Sequence, residues 1–377
     1  MLLKNLIKKH PKKLENLSIK GLAIDSRKVK RGYIFFAIDG RRYKGHQFIK
    51  EAIKKKASLI ICSKKIDYKK INSIVVNQIN IKNILVEACK KFYKKKPKNI
   101  FLVTGTNGKS SVANFFHQIL MLNKIPVASI GTLGVKIEKK SYSLSLTSPD
   151  IITLNEYLVK IKEEGIDNVI IEASSHGLNQ KRLHGLTVKA GMFTNLSQDH
   201  LDYHKNFKKY LNAKLILFNE ILKKNSYLIS DSKIKEFKKL TKIAKKRKLK
   251  ILDSDKIYNK INNLKLKLIG DFQFKNLSMA VQSALLCNLS FKKIEKSLYK
   301  IQSVEGRLSE IKTFKNGTKV FIDFAHTPEA LEKVLCSIKS NFSRKISVVF
   351  GCGGQRDSKK RPLMGKIASK YCEKIYI

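Results

Sequence analysis

Two carboxylates and two imidazoles, Asp199, His200, Asp202 and His204, fall within six positions of the stretch "MFTNLSQDHLDYHKNFKKYLNAK" (192–214). The chain around them is strongly basic, with a formal net charge of +49 over 377 residues, so the cluster needs a reason. Acids and imidazoles gathered in one place serve a divalent cation or proton transfer. Mg²⁺ prefers oxygen ligands, retains several waters and often uses few side chains at a phosphoryl-transfer site. Neither Asp199 nor Asp202 is therefore obliged to be a ligand, since either also suits the cap of a helix beginning near Asn206. His204 reads as a structural histidine, whereas His200, directly after a strand-end turn, is the better ligand candidate.

A second chemistry-bearing stretch is "FLVTGTNGKSS" (101–111). A buried strand running into a glycine turn and then a helix presents backbone N–H groups and a positive helix end to one point, which suits a polyphosphate. Lys109 would neutralise phosphate charge and Ser110 would offer its hydroxyl to Mg²⁺. The strict G-x-x-x-x-G-K-[ST] pattern asks for glycine where this chain has Val103, so the expression fails while the physical context fits. In "NVIIEASSHGLNQKRL" (168–183), Glu172 closes an apolar strand, at the carboxyl edge where open parallel sheets place ligand groups. An unpaired carboxylate there is costly, so a metal or an arginine is the expected partner. Further on, "FIDFAHTPEAL" sets Asp323 and His326 between a strand and a helix, and "VVFGCGGQRDSKKRP" follows a strand with a glycine loop and Arg356. Two successive strand ends of this kind form a second ligand-facing edge.

The elements that must position these groups follow from the apolar runs. Residues 1–96 mix short strands ("YIFFAI", "SLIICS", "SIVVN") with a helix around Gln47–Lys56, and the lysine run "YKKKPKN" closes the segment near Pro97. From Asn99 strands and helices alternate through "NIFLV", "VANFFHQILMLN", "PVASIGTLG", a helix over 153–163 and "NVIIEAS", predicting a parallel sheet with helices on its faces. "VEGR" interrupts this periodicity. "TKVFIDFA", a helix over 328–340, "KISVVFG", a glycine loop, another helix and "KIYI" follow. The expected organisation is α/β in three domains: 1–96, 97–302 around the phosphate-binding turn, and 303–377.

With 43% hydrophobic residues the chain can bury ordinary cores. Only ten of its 78 basic residues are arginine; lysines are scattered through every segment, a composition bias and not a recognition surface. The run "KKLTKIAKKRKLK" (238–250) carries Leu, Ile and Ala at helical spacing and reads as a solvated helix face, so no nucleic-acid partner is expected. Six cysteines lie far apart without a C-x-x-C pair and read as reduced core thiols of a cytosolic protein. No signal peptide and no window of about 18 consecutive apolar residues is present, which makes a soluble, cytoplasmic monomer without a membrane partner the expectation.

In order along the chain, "TGTNGKSS", "LTSPD", "IEASSHGLNQKRL", "FTNLSQDHLDYH", "YLNAK", "VEGRLSEI", "IDFAHTPEAL" and "GCGGQRDSKKRPLMG" resemble the motif set of the Mur ligase family, over nearly the whole sequence. The match is best to the branch that adds the third amino acid of the peptidoglycan stem. The resemblance implies a three-domain architecture with a central P-loop ATPase-type sheet and a Rossmann-like last domain. It implies an ATP-dependent amide ligase in which the D-glutamate carboxylate of UDP-MurNAc-L-Ala-D-Glu becomes an acyl phosphate and a diamino acid then attacks.

By motif position, Gly105, Thr106, Asn107, Gly108, Lys109, Ser110 and Ser111 would cradle ATP, with Asn276, Arg307, Asp323 and His326 completing the nucleotide site. Glu172, His200 and Ser110 would hold Mg²⁺. Lys214 matches a lysine that the family carries as a carbamate: an ammonium with a pKa near 10.4 cannot ligate a cation, while addition of CO₂ turns it into an oxygen donor. Ile24, Ser26, Arg41, Arg42, Tyr43, Thr147, Ser148, Ser174, Gln180 and Arg182 match positions that hold the UDP-MurNAc-dipeptide, and Arg356 one that meets a carboxylate of the incoming amino acid. Gln273 departs from the family's "G-[DE]-F-N-x-x-N" run, here "GDFQFKN".

In the family a "DNPR" segment that reads the incoming amino acid follows shortly after the position of "KIYI", so a C-terminally incomplete last domain is expected. Without that segment, diaminopimelate is preferred over lysine on base rate alone. Folylpolyglutamate synthase shares the P-loop and carbamate logic, but "SSHGLNQKRL", "DYH" and "GCGGQRD" separate the two. A non-catalytic UDP-sugar-binding remnant is the alternative from another class.

Overall fold

A computed structural model describes residues 1–8, 10–40, 43–63, 74–77, 80–138, 140–353 and 358–377. Arg41, Arg42 and Arg356 lie outside the described residues. The chain divides into two units, one of Met1–Lys96, Pro149–Glu164 and Lys181–Leu186, the other of Pro97–Ser148, Gly165–Gln180 and Thr187–Ile377.

In the first unit four parallel strands, β1 (Gly21–Ala23), β2 (Tyr33–Ala37), β3 (Leu59–Cys62) and β4 (Ile74–Asn77), pair in chain order. The all-apolar β3 is fully buried, as expected of a strand covered on both faces. Ile34, Phe36, Leu59 and Ile61 pack with Ile81, Leu85 and Ala88 of the helix Ile81–Phe92 and with Ile151 and Ile152. Helix Ile151–Glu163 starts two residues earlier than its apolar pattern suggests, because Asp150 accepts from the N–H groups of Ile152 and Thr153 and caps it.

The second unit is built on eight strands: β5 (Asn99–Thr104), β6 (Val127–Gly131), β7 (Gly134–Ile137), β8 (Lys140–Tyr142), β9 (Asn168–Glu172), β10 (Ala190–Phe193), β11 (Tyr227–Ser230) and β12 (Lys250–Asp253). Their order is β12-β11-β10-β5-β9-β6-β7-β8. Six are parallel, and β7 and β8 add an antiparallel edge that the expectation of a parallel sheet did not include. Phe101, Val103, Met192 and Ile170 pack against Phe115, Phe116 and Ile119 of helix Lys109–Leu122 and Leu277 and Ala280 of helix Asp271–Leu285. Val103 stands opposite Glu172 and Thr104 opposite Phe193, so the ends of β5, β9 and β10 share one edge.

After β12, β13 (Ser309–Thr313) pairs antiparallel with β14 (Lys319–Ile322), and β15 (Ser347–Val349) pairs parallel with β16 (Lys374–Tyr376). Leu331 and Leu335 of helix Pro328–Asn341 pack with Ile346 and with Met364 of helix Lys360–Tyr371. The lysine-rich run is the helix Phe237–Arg247, which buries only Leu240 and Ala244, as a solvated face should. The cysteine expectation needs correction: Cys62 and Cys89 are buried, Cys287, Cys352 and Cys372 are half-buried, and Cys336 is exposed on its helix. Among the described residues no helix is long and apolar enough to cross a membrane.

Candidate active site

Above the shared strand edge of the second unit lies a cavity of about 390 Å³. Thr106, Asn107, Gly108, Lys109, Ser110, Ser111, Glu172, His200, Lys214, Asn276, Arg307, Asp323 and His326 all line it. Residues more than 200 positions apart in sequence thus meet where the parallel strands end.

The glycine turn after β5 needs its glycines. Gly108 has φ +88°, and a Cβ there would run into the Asn276 amide. Helix Lys109–Leu122 begins without a side-chain cap, which leaves N–H groups of its first turn open to an anion. Lys109 Nζ donates to the carbonyls of Gly105 (3.0 Å) and Thr106 (2.7 Å). Burial lowers its pKa, against the opposing pull of Glu172.

Glu172 is only 2% exposed. Its Oε1 accepts from the Thr132 N–H at 2.8 Å, and its Oε2 from the hydroxyls of Ser110 (3.0 Å) and Thr132 (3.1 Å). Among the described residues the bonds to this carboxylate come from neutral donors, and Arg307 reaches it through Ser110 Oγ, at 3.0 Å. Gly131 permits this arrangement, because a Cβ at that position would strike the Glu172 carboxylate.

Lys214 is 1% exposed, donates to the Gly105 carbonyl at 2.6 Å and lies 4.3 Å above the Tyr210 ring. Burial first, then the neighbouring Lys109, hold its amine well below the ordinary ammonium range. Among the described residues it has no carboxylate within ion-pair distance. Asp199 is not a helix cap: that role belongs to Asn206, whose side chain accepts from the Lys209 N–H. Asp199 instead sits 3.2 Å from both His200 Nε2 and His326 Nε2. Burial raises its pKa, but His326, His200 and Lys360 together outweigh that and hold the carboxyl well below its usual range. Asp202 is exposed, and His204 is a buried structural residue with Nε2 3.0 Å from Ser175 Oγ.

Asn276 is buried beside the glycine turn, and Asp323 accepts from the Leu308 N–H at 2.6 Å. Burial raises the Asp323 pKa against the pull of Arg307. Gln273, the departure from the family's asparagine, is buried and donates to the Arg307 carbonyl at 2.9 Å, so it anchors the backbone of a cavity residue. Thr147 and Ser174 also line the cavity, Ser148 donates to the Glu172 carbonyl at 2.7 Å, and Gln180 donates to Tyr203 Oη.

The first unit has a separate cavity of about 860 Å³ lined by Ile24, Asp25, Ser26, Tyr43, Phe48 and Glu51 among others. Ser26 donates to Glu51 at 2.5 Å. Tyr43 is exposed and stands edge-on to Phe48. Arg182 belongs to this unit, half-buried.

Thr132, Tyr210 and Lys360 were given no role by the sequence motifs, yet each touches the cavity or a residue that lines it. Sheet order and chain crossings bring them there, and no local pattern signals that.

Three imidazoles impose an acid limit. Burial lowers the pKa of His117, His200 and His204 to about 4 each. Each folded value lies below the unfolded value near 6.5, so the unfolded chain takes up the protons first. Their stabilisation is complete above about pH 6.5 and is lost as pH falls toward 4. Denaturant midpoints are expected to drop between about pH 7 and pH 5. His117→Leu, which removes a buried imidazole whose Nε2 has no partner, should show a smaller drop. An equal drop in both chains would exclude His117 as a source.

Three family descriptions match the sequence: "Mur ligase family, catalytic domain" over residues 18–95, "Mur ligase middle domain" over 103–284 and "Mur ligase, glutamate ligase domain" over 306–377. The chain is 39% identical, over its full length and 81% of the relative's, to the UDP-N-acetylmuramoyl-L-alanyl-D-glutamate--2,6-diaminopimelate ligase of Rickettsia bellii. To the protein of the same name from Brucella melitensis it is 35% identical, over 97% of this chain and 80% of that one. A solved structure of a ligase of that name superimposes with a TM-score of 0.78 at 25% identity, covering all of this chain and 81% of the other. MurF ligase from Thermotoga maritima in complex with ADP shares the fold, with a TM-score of 0.63 at 15% identity over 94% of this chain and 82% of that one.

Proposed function

The chain belongs to the Mur ligase family, and from that premise we propose that it joins meso-2,6-diaminopimelate to UDP-MurNAc-L-Ala-D-Glu at the expense of ATP. The observation that carries this reading is the single cavity shared by the glycine turn, Lys109, Glu172, His200 and Lys214. Phosphoryl transfer is mostly a matter of positioning and charge neutralisation. The turn from Gly105 to Ser111 receives the triphosphate on backbone N–H groups, and Lys109 meets its terminal phosphates. Asn276, Arg307, Asp323 and His326 are assigned to the rest of the nucleotide. The glutamate carboxylate attacks the γ-phosphorus and ADP leaves. The diaminopimelate amine then attacks the acyl phosphate and loses a proton, and phosphate is expelled.

The donor set fits Mg²⁺. Among the described residues no group of three His, Cys, Asp or Glu could hold a metal. What the cavity offers includes the Glu172 carboxylate, bound among the described residues by neutral donors, together with hydroxyls and an imidazole held neutral. Mg²⁺ commonly takes one or two protein carboxylates, waters and phosphate oxygens. Glu172, Ser110, His200 and a carbamate on Lys214 would hold it. When bound it neutralises charge on the transferring phosphate. Ile24, Ser26, Arg41, Arg42 and Tyr43 are assigned to the UDP-sugar, Thr147, Ser148, Ser174, Gln180 and Arg182 to the muramoyl dipeptide, and Arg356 to the incoming amino acid.

The test is phosphate release by the purified chain with ATP, Mg²⁺ and UDP-MurNAc-L-Ala-D-Glu, comparing meso-diaminopimelate, L-lysine and, in a separate arm, a folate with glutamate. Release that depends on the muramoyl peptide and diaminopimelate is expected. Binding of the peptide without any release would favour a non-catalytic UDP-sugar-binding protein, and release with folate alone would move the chain to the folylpolyglutamate branch.

A further inference from the structure

Thr132 follows β6 directly, and β6 lies beside β9 in the sheet, which sets its side chain against Glu172. Its own hydroxyl is also 3.1 Å from the hydroxyl of Thr147. A continuous chain results: Thr147 Oγ1, Thr132 Oγ1, Glu172 Oε2, Ser110 Oγ and Arg307 Nη2.

Proton bookkeeping fixes its direction. A threonine hydroxyl has one proton to give, and an ionised carboxylate only accepts. Thr132 therefore spends its proton on Glu172, and the bond between the two threonines must be donated by Thr147. From the other end Arg307 donates to Ser110, which donates to Glu172. Every proton in the chain points toward the carboxylate. Thr147, its proton spent, faces the cavity with acceptor lone pairs alone.

We infer that Thr132 is a positioning residue for the reaction: it aims Glu172 and, by taking the proton of Thr147, makes that threonine an acceptor for a peptide N–H of the bound muramoyl peptide. This rests on the proposed ligase reading. Thr147 stands one hydroxyl away from Glu172, and the glutamate carboxylate reacts beside Glu172. The nearest amide of the substrate is therefore the alanyl–glutamyl bond, and its N–H is the donor that Thr147 takes. A carboxylate or phosphate oxygen at the same point would face lone pairs and be rejected.

Thr132 is exposed at a turn, so its side chain can be changed with little effect on folding. Thr132→Val removes the hydroxyl and keeps the backbone N–H on Glu172; Thr132→Ser keeps both. Equilibrium binding of UDP-MurNAc-L-Ala-D-Glu and of an ester analogue lacking the alanyl–glutamyl N–H is measured by calorimetry without nucleotide, alongside kcat and KM. The wild type should bind the ester about tenfold more weakly than the amide, and Thr132→Val should narrow that gap to about threefold or less. Thr132→Val should also lower kcat about tenfold, with Thr132→Ser close to wild type and all melting points alike. Equal binding of ester and amide by the wild type, or a Thr132→Val chain matching wild type throughout, overturns the inference alone. A wild type that binds neither compound overturns the ligase reading and this inference with it.

Discussion

Replacing Lys214 with alanine is expected to lower kcat by about 10³-fold or more, equivalent to about 4 kcal/mol of transition-state stabilisation. Among the described residues the buried amine bonds to the Gly105 carbonyl and faces the Tyr210 ring, and its burial, then Lys109, lower its pKa well below the ordinary ammonium range. A neutral amine can attack CO₂: the nitrogen lone pair forms the N–C bond, a proton departs to solvent, and a carbamate anion remains. That anion would add an oxygen donor to the cavity beside Glu172. Activity should fall in CO₂-depleted buffer and return with bicarbonate. In Lys214→Ala a small carboxylic acid such as formate should restore part of the rate by occupying the vacated space. Full activity of Lys214→Ala would remove the carbamate from the mechanism.

Stability should move the other way. An amine whose folded pKa is depressed binds its proton less tightly in the fold than in the unfolded chain, so at neutral pH the unmodified lysine destabilises the protein. Lys214→Met is therefore expected to melt no lower than the wild type in CO₂-depleted buffer. Loss of activity without loss of stability separates a functional lysine from a structural one.

The parts of this site legible in the sequence are those whose cause is local. The apolar run "NIFLVT", its glycine turn and the Lys-Ser pair announce a strand, a tight backbone and a helix start within about a dozen residues, and all three are present. Glu172 was legible because "NVIIE" is apolar up to its last residue, which marks the end of a buried strand. The hydroxyl of Thr132 was not, because its partner depends on β6 lying beside β9, a fact of sheet order. β13 escaped notice because four of its five residues are exposed and their hydrophobicity does not alternate. The partners of Asp199 were illegible for a related reason: His326 and Lys360 come from more than 120 residues downstream, and only the fold brings them within reach. Local chemistry and motif resemblance named residues that line the cavity, and non-local packing supplied the groups that hold them in place.

Lys109→Met is the second change expected to have a very large effect, lowering kcat/KM for ATP by about 10³-fold while leaving the binding of UDP-MurNAc-L-Ala-D-Glu within about twofold of wild type. Methionine matches the stem in length and packs similarly, so the loss isolates the charge. In the structure the ammonium is held by the turn's own carbonyls, Gly105 and Thr106. These bonds keep it at the mouth of the glycine turn, where an incoming phosphate completes its hydrogen bonding. Lys109→Arg should not restore the rate, because a planar five-donor fork does not fit a point-charge position enclosed by backbone carbonyls. Calorimetry with ADP and with the non-hydrolysable ATP analogue separates the two contributions: ADP affinity should fall less than affinity for the triphosphate, since the lysine serves the terminal phosphate. The other cavity cations among the described residues are engaged elsewhere: Lys214 is bound to Gly105, Arg307 to Ser110 through its side chain and to Gln273 through its carbonyl, Lys275 pairs with Asp231 and Asp271, and Lys333 with Glu329. A Lys109→Met chain with near-normal kcat/KM for ATP would mean that the triphosphate is held elsewhere in the cavity.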